Sequence, residues 1–159
     1  KKLPIIFVCE NNYYSVYSPL KVRQPISRKI HKMVGGVGLN SFSGNGNFID
    51  QVFKISKKAI SNANKGLCPQ FLEFKTYRWL EHCGPNWDDS LNYRPKKIKD
   101  NWLKKDPLNL IIKKIGKNHS QLLKNINHQI DKKIEKAFDF AEKSKFPKAK
   151  NYKRYVYKK

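Results

Sequence analysis

The sequence predicts an α/β fold in which a parallel sheet is flanked by helices. The run from Pro4 to Cys9 is apolar without polar alternation, which indicates a strand that is buried on both faces. A short strand at 39–42, an amphipathic helix at 48–65 and a further apolar run at 71–74 follow in that order. A strand, a helix and a strand in succession predict a right-handed parallel crossover.

The individual elements can be justified in chain order. Residues 3–9 form the first strand, and a loop leads to a short helix at 26–34, for which Ser27 is the candidate cap. Glycine- and asparagine-rich loops surround the strand at 39–42. The helix at 48–65 is followed by Gly66, where a left-handed cap is expected. Its predicted apolar face comprises Ile49, Val52, Phe53, Ile60 and Ala63.

The second half of the chain is predicted to be irregular and then helical. Residues 78–94 mix Trp, His, Cys, Asp and Gly, and long irregular segments in compact domains are usually functional or disordered. Short helices are predicted at 96–105 and 107–115. The clearest helical pattern lies at 120–145, with apolar residues at four-residue steps. The aromatic and basic tail at 152–157 is expected to dock on a neighbour or to fray.

Length and composition limit the class of protein. A chain of 159 residues is one domain by length, and no apolar run is long enough for a transmembrane helix, so no membrane partner is expected. The apolar run before Glu10 is too brief for a secretory signal. The cysteines Cys9, Cys68 and Cys83 are an odd set without a paired framework, which favours a reducing compartment. A cytoplasmic location is therefore expected.

The net charge of +22 raises the question of nucleic-acid binding. Only five of the 34 basic residues are Arg, although phosphate and base recognition favours the planar guanidinium group. The Lys residues are also scattered along the chain. Nucleic acid is therefore an unlikely main partner, whereas an acidic protein surface stays open as a partner.

Three polar residues, Glu10, Asn11 and Asn12, follow the first predicted strand directly. In open α/β sheets ligands bind at the carboxyl ends of the strands. An Asn carbonyl at this position is a neutral oxygen donor that suits Mg²⁺. Asn is also a common turn former, so these residues alone leave open whether the pair binds a ligand or only turns the chain.

Five features of this chain follow one another in a recognisable order. They are the strand ending in Asn11-Asn12, the segment Gly66 to Arg78 (GLCPQFLEFKTYR), Glu81-His82-Cys83, Tyr93-Arg94 and Asp106-Pro107. In that order they resemble the alpha subunit of thiamine-diphosphate-dependent 2-oxo-acid dehydrogenases, the family of the pyruvate, branched-chain and acetoin dehydrogenase decarboxylating components. The resemblance runs from about residue 3 to residue 107 and is weaker beyond that point.

This resemblance implies a thiamine-diphosphate-binding fold with a site for thiamine diphosphate and Mg²⁺. In the family, the Asp of an upstream Gly-Asp-Gly motif, the second Asn and a backbone carbonyl two residues further on coordinate the metal. Asn12 would then be the side-chain ligand and Tyr14 the carbonyl donor, with Asn11 in the same cofactor-binding segment. No Gly-Asp-Gly motif precedes Asn11 in this sequence.

The chain is accordingly expected to be a carboxyl-terminal fragment of a longer alpha subunit, inactive by itself. Residues 1–107 would form a diphosphate-binding domain that lacks its amino-terminal half. Residues 108–159 would form a helical extension with a basic tail.

The resemblance also implies an active-site role for His82. The family carries a His in the loop after Thr-Tyr-Arg, facing the thiazolium ring, where a side chain that titrates near neutral pH can move protons. Arg78, the second candidate, is expected either to organise this loop through ion pairs or to reach a substrate carboxylate. Cys83 stands where relatives carry a phosphorylatable Ser, so control by phosphorylation at this position is not expected.

Other roles for the residues of this loop are weaker. A zinc site from His31, Cys68, His82 and Cys83 would lack a Cys-x-x-Cys pair and would need adjacent ligands. A Cys83 nucleophile activated by His82 is disfavoured because neighbouring side chains in an extended loop point apart. The pair Asp88-Asp89 is expected to be solvated or to cap the loop.

The function implied by the resemblance is oxidative decarboxylation of a 2-oxo acid with acyl transfer to a lipoyl group. The implied partners are the beta subunit of the same dehydrogenase, in a heterotetramer or a fused equivalent, and the lipoyl domain of an acyltransferase. Two alternatives stay open. One is a thiamine-diphosphate enzyme without a lipoyl acceptor, in sugar or secondary metabolism, and the other is a basic nucleic-acid-binding module.

Overall fold

The computed structural model describes residues 3–67 and 69–148, and of Lys117 only the backbone. The chain divides into two compact units, Lys1–Lys114 and Ile115–Lys159. The first unit contains the sheet and most of the helices, and the second contains the long carboxyl-terminal helix. The predicted docking or fraying of the tail at 152–157 lies outside the described residues.

The first unit is built on a three-stranded parallel sheet, as the sequence predicts. Its strands are β1 (Ile6–Asn11), β4 (Asn40–Asn45) and β5 (Gln70–Lys75), in the order β1-β5-β4. Asn11 and Asn45 both lie opposite Lys75, so the three strands end level with one another. A separate small antiparallel pair consists of β2 (Tyr14–Ser15) and β3 (Ser18–Pro19).

The helices lie close to their predicted positions. They are α1 (Ile30–Gly36), α2 (Ile49–Asn64), α3 (Lys96–Leu103), α4 (Pro107–Ile115) and, in the second unit, α5 (Ser120–Lys143). The prediction for α1 is correct only in part, because Lys29 and not Ser27 occupies the cap position and makes no side-chain capping bond. No helix within residues 3–67 and 69–148 is long and apolar enough to cross a membrane.

Helix α2 covers one face of the sheet. Gly66 adopts φ +74° and its N–H donates to the Ala63 carbonyl, which confirms the predicted left-handed end. The predicted apolar face is partly wrong: Phe53 is 68% and Ile60 is 52% exposed. The predictions for Val52 and Ala63 are confirmed, and the other helix residues that face the core are Ile55 and Ala59. The small Ala59 lets the helix approach the strands closely.

The two faces of β5 serve different purposes. Leu72 and Phe74 point to one side and form the core cluster with Ala59 of α2. Glu73, between them, must point to the other side because side chains alternate along a strand, and there it contacts His31 of α1. Helices α1 and α2 therefore lie on opposite faces of the sheet. A buried carboxylate on an apolar central strand needs partners, and these partners organise the site.

Strand β1 differs from its prediction. Phe7 is 48% and Val8 is 58% exposed, so the expected burial on both faces is wrong for the described part of the chain. Among the described strands, β1 pairs only with β5 and lies at an edge of the sheet. Burial of a strand depends on what packs beside it and not only on its own apolarity.

Candidate functional site

The polar residues after β1 form a tight turn at the carboxyl edge of the sheet. Asn11 is buried; its Nδ2 donates to Glu73 Oε1 at 2.7 Å, and its Oδ1 accepts the Tyr13 N–H at 3.0 Å. Asn12 Oδ1 accepts the Tyr14 N–H at 2.9 Å. Tyr13 adopts φ +65°, a left-handed conformation that these side-chain bonds support. Both Asn side chains therefore stabilise this turn by accepting backbone hydrogen bonds.

This turn is compatible with a further role for Asn12 as a metal ligand. A carbonyl oxygen has two lone pairs, so the bond to Tyr14 leaves one free on Asn12 Oδ1. Together with the Tyr14 carbonyl it could offer Mg²⁺ neutral oxygens, the kind of donor that this ion prefers. The chemical type of these two oxygens suits Mg²⁺, but two are fewer than the ligands of its octahedral shell. The described residues also contain no group of three or more His, Cys, Asp or Glu side chains able to hold a metal.

Glu73 ties the turn to the sheet and to α1. Its Oε1 accepts from Asn11, and its Oε2 accepts the His31 backbone N–H at 3.1 Å and lies 2.8 Å from His31 Nδ1. Burial by itself would raise the pKa of Glu73, but the hydrogen bonds from Asn11 and His31 outweigh burial and lower the pKa. Glu73 is therefore an ionised, fully engaged acceptor.

A buried carboxylate also organises the irregular segment at 78–94. Asp88 is 4% exposed and accepts hydrogen bonds from Arg94 and from the Tyr93 hydroxyl, and its Oδ2 lies 3.6 Å from Arg78 Nη2. Burial would raise the pKa of Asp88, but the bonds from Tyr93 and the charge of Arg94 lower it. The prediction of a solvated or loop-capping pair is therefore wrong for Asp88, whose buried side chain makes no capping bond and pairs with Tyr93 and Arg94. Asp89 is exposed, as predicted.

Arg78 joins this loop to the hairpin between β2 and β3. Its Nη2 donates to the Val16 carbonyl at 3.1 Å and to the Tyr93 hydroxyl at 2.7 Å, and its Nε donates to the Leu80 carbonyl at 3.0 Å. The Tyr93 ring also meets the Tyr14 ring edge-on, with centroids 5.6 Å apart. These contacts are compatible with the first of the two expected roles of Arg78, which is to organise the loop, and its role in the site stays a prediction.

His82 lies in the same loop and is exposed. Its Nδ1 is 3.5 Å from Arg78 Nη1, so Arg78 contacts both the β2–β3 hairpin and the segment that carries His82. Cys83 is likewise exposed. Of the weaker alternatives, the zinc set includes Cys68, which lies outside the described residues.

An aromatic cavity of about 420 Å³ adjoins Asn12. Its lining includes Tyr14, Tyr77 and Trp102, and the Tyr77 ring stacks on Trp102 with centroids 6.0 Å apart. Burial raises the pKa of Tyr77, and its buried hydroxyl has no hydrogen-bond partner among the described residues. Tyr77, Trp102 and Glu73 are not among the site residues predicted from the sequence. Only the position of Tyr77 and Glu73 within the GLCPQFLEFKTYR segment indicates that these two residues belong to the site.

Comparison with known proteins agrees with the resemblance. A model of the family described as "Dehydrogenase E1 component" matches residues 1–150. The pyruvate dehydrogenase E1 component subunit alpha of Porphyra purpurea is 30% identical over 159 residues, covering 98% of this chain and 45% of the relative. The protein of the same name from Rickettsia conorii is 29% identical over 148 residues, covering 91% of this chain and 44% of the relative.

The name of a third relative gives a different 2-oxo acid as the substrate. The 2-oxoisovalerate dehydrogenase subunit alpha of Bacillus subtilis is 29% identical over 161 residues, covering 99% of this chain and 48% of the relative. The identities of the three proteins are nearly equal, so similarity does not select one 2-oxo acid. The chain spans about half the length of these curated relatives.

Proposed function

The chain belongs to the dehydrogenase E1 component family, and from this premise we propose that it acts within the alpha part of a thiamine-diphosphate-dependent 2-oxo-acid dehydrogenase. The reaction is the oxidative decarboxylation of a 2-oxo acid with transfer of the acyl group to a lipoyl group. Within this proposal the three-stranded sheet belongs to a thiamine-diphosphate-binding fold, residues 1–107 form its diphosphate-binding part, and residues 108–159 extend it.

One observation supports the proposal above the others. Arg78 donates to the Val16 carbonyl in the hairpin between β2 and β3, and its Nη1 lies 3.5 Å from His82 Nδ1. This hairpin follows directly on the turn that carries Asn12, so that turn and the loop that carries His82 lie near the same carboxyl edge of a parallel sheet, where α/β proteins bind ligands. A metal ligand and a proton-transfer group must share such an edge if they are to serve one cofactor.

The residues of this edge have separate tasks in the proposed reaction. Asn12 Oδ1 and the Tyr14 carbonyl would hold Mg²⁺, and Asn11 fixes the turn that presents them. His82 would accept and donate protons beside the bound cofactor, and Arg78 positions the His82 loop. Thiamine diphosphate, when bound, supplies the carbanion chemistry that amino-acid side chains lack.

The proposed partners follow from the same reaction. A beta subunit would complete the active site, and a lipoyl domain of an acyltransferase would accept the acyl group. The net charge of +22 favours a partner with an acidic surface. Binding of an isolated lipoyl domain should therefore weaken steeply between low and physiological ionic strength. Binding that does not respond to salt would contradict this electrostatic contribution.

The cofactor proposal is tested by substitution of Asn12 in the full chain, purified with its companion beta subunit. With Mg²⁺ present, Asn12→Ala should weaken thiamine-diphosphate affinity at least tenfold, measured by isothermal titration calorimetry. Asn64→Ala, at the exposed end of α2, is the matched control and should change the affinity less than twofold. Equal affinities for the two variants would remove Asn12 from the site.

The catalytic proposal is tested separately at His82. His82→Ala should leave cofactor affinity within about twofold but lower decarboxylation roughly 10²–10⁴-fold, the usual contribution of a general acid–base group. His128→Ala on α5 is the control and should leave the rate unchanged. Ferricyanide reduction, measured with pyruvate and with 2-oxoisovalerate, reports decarboxylation without a lipoyl acceptor. Full activity of His82→Ala on both substrates would contradict the assigned role.

A further inference from the structure

A second cavity lies on the α1 side of the sheet and has no task in the proposed reaction. Its volume is about 240 Å³, and it lies between the carboxyl ends of β1 and β5 and the segment that leads into α1. Part of its wall is apolar and comprises Leu20, Pro25, Ile26 and Ile30. The hydrogen-bonded group of Asn11, Glu73 and His31 forms another part of the lining.

Cationic side chains supply the remaining lining of this cavity. They are Lys21, Arg28, Lys29 and Lys75. Within residues 3–67 and 69–148 none of the four side chains makes an ion pair, a hydrogen bond or a contact with an aromatic ring. Two cations of the first unit are paired, Lys99 with Asp89 and Lys114 with Asp50, whereas the four at this cavity are exposed to solvent. The cavity thus concentrates positive charge that the fold itself does not neutralise.

The one carboxylate in the lining does not offset this charge. Both oxygens of Glu73 accept hydrogen bonds from Asn11 and His31, and its side chain is 4% exposed. An ionised carboxylate only accepts hydrogen bonds, so His31 Nδ1 carries the proton that it shares with Glu73. In the neutral ring His31 Nε2 is then a hydrogen-bond acceptor, so the anion is held by the cationic side chains and not by His31.

We propose that this cavity binds a small organic anion with an apolar body and a carboxylate or phosphate head. A volume of about 240 Å³ is at the small end for ligand cavities, which suits a small molecule. Its body packs on Leu20, Ile26 and Ile30. Its head meets Arg28, whose planar guanidinium group can hold either oxyanion with two parallel bonds.

This cavity adjoins the proposed cofactor site but has its own lining. Asn11, which fixes the turn of the cofactor site, also lines it, and Tyr13, Leu20 and Lys21 line both cavities, while Asn12 and Tyr77 line only the aromatic one. Glu73 and His31 line only the cationic cavity. Binding here can therefore be measured whether or not the chain takes up thiamine diphosphate.

The test is an NMR titration of the full chain with isoleucine methyl groups labelled. Four probes share one six-carbon body: hexanoate, hexyl phosphate, hexan-1-ol and hexylamine. Either anion should shift the Ile26 and Ile30 signals and bind at least tenfold more tightly than hexan-1-ol, and hexylamine should not bind. The ratio of the two anion affinities identifies the head group. Equal affinity for hexanoate and hexan-1-ol, or larger shifts at Ile60 on α2, would overturn the proposal.

Substitutions separate this site from general surface charge. Arg28→Gln should weaken binding of the better anion at least fivefold, and Arg28→Lys should retain part of that affinity. Lys57→Gln removes an exposed cation on α2 and should change affinity less than twofold. Equal losses for Arg28→Gln and Lys57→Gln would contradict a defined site. Displacement of the anion by thiamine diphosphate with Mg²⁺ would contradict a separate one.

Discussion

The hydrogen bonds of Glu73 give the sharpest prediction about stability. Glu73→Ala removes an acceptor that is 3% exposed and leaves Asn11 Nδ2 and the His31 N–H without their partner. Hydrogen bonds to a charged group contribute about 1.5–3 kcal/mol each, and a buried donor left unpaired costs about 1–3 kcal/mol. Since these terms overlap, we expect a loss of about 3–5 kcal/mol in the free energy of unfolding.

Glu73→Gln tests the geometry more closely. If the Gln carbonyl oxygen faces His31, its amide NH₂ faces the NH₂ of Asn11. Asn11 cannot rotate to relieve this conflict without losing the bond from its Oδ1 to the Tyr13 N–H. Gln should therefore still cost about 2 kcal/mol despite its nearly equal size. Glu10→Gln, at an exposed position of β1, is the control and should cost less than about 0.5 kcal/mol.

The assay is urea unfolding followed by circular dichroism at several pH values. The lowered pKa of Glu73 contributes stability that is present above its ordinary value of 4.5 and is lost as the pH falls through the folded-state pKa. The unmodified chain should lose stability below about pH 4.5 more steeply than Glu73→Gln does. A Gln variant as stable as the unmodified chain at pH 7, with the same slope in acid, would refute the assigned hydrogen-bond network.

Two further predictions concern the loop and the turn after β4. Asp88→Asn leaves Arg94, whose side chain is 6% exposed, without its anionic partner. The free energy of unfolding should fall by about 3–5 kcal/mol, and proteolysis within 78–94 should become faster. An unchanged cleavage rate would argue against the role of Asp88 in holding this segment. Gly46→Ala places a Cβ 2.6 Å from Thr76 Cγ2 and should lower the free energy of unfolding by about 1–3 kcal/mol. In the control Gly36→Ala the new Cβ meets no atom within 4 Å, so this variant should be as stable as the unmodified chain or slightly more stable. Urea titration measures both variants.

The sequence located most of the elements and the family. The apolar run at 71–74 located β5, the 3.6-residue period located α2 and α5, and Gly66 marked the end of α2, while the strand predicted at 39–42 covers only the first half of β4. These features are local, because a strand or helix pattern depends on residues a few positions apart. The GLCPQFLEFKTYR segment was equally local, and its resemblance to dehydrogenase alpha subunits agrees with the family match.

Only the tertiary structure decides which residues are buried and which polar groups form hydrogen bonds with one another. The apolar strand β1 is half-exposed because its place at an edge of the described sheet depends on which strands pair with it. Glu73 meets Asn11 and His31 across 62 and 42 residues, and Arg78 meets Val16 across 62. No local pattern encodes such pairs. They arise because parallel strands bring distant segments to one edge, where buried polar groups must find partners or lose stability.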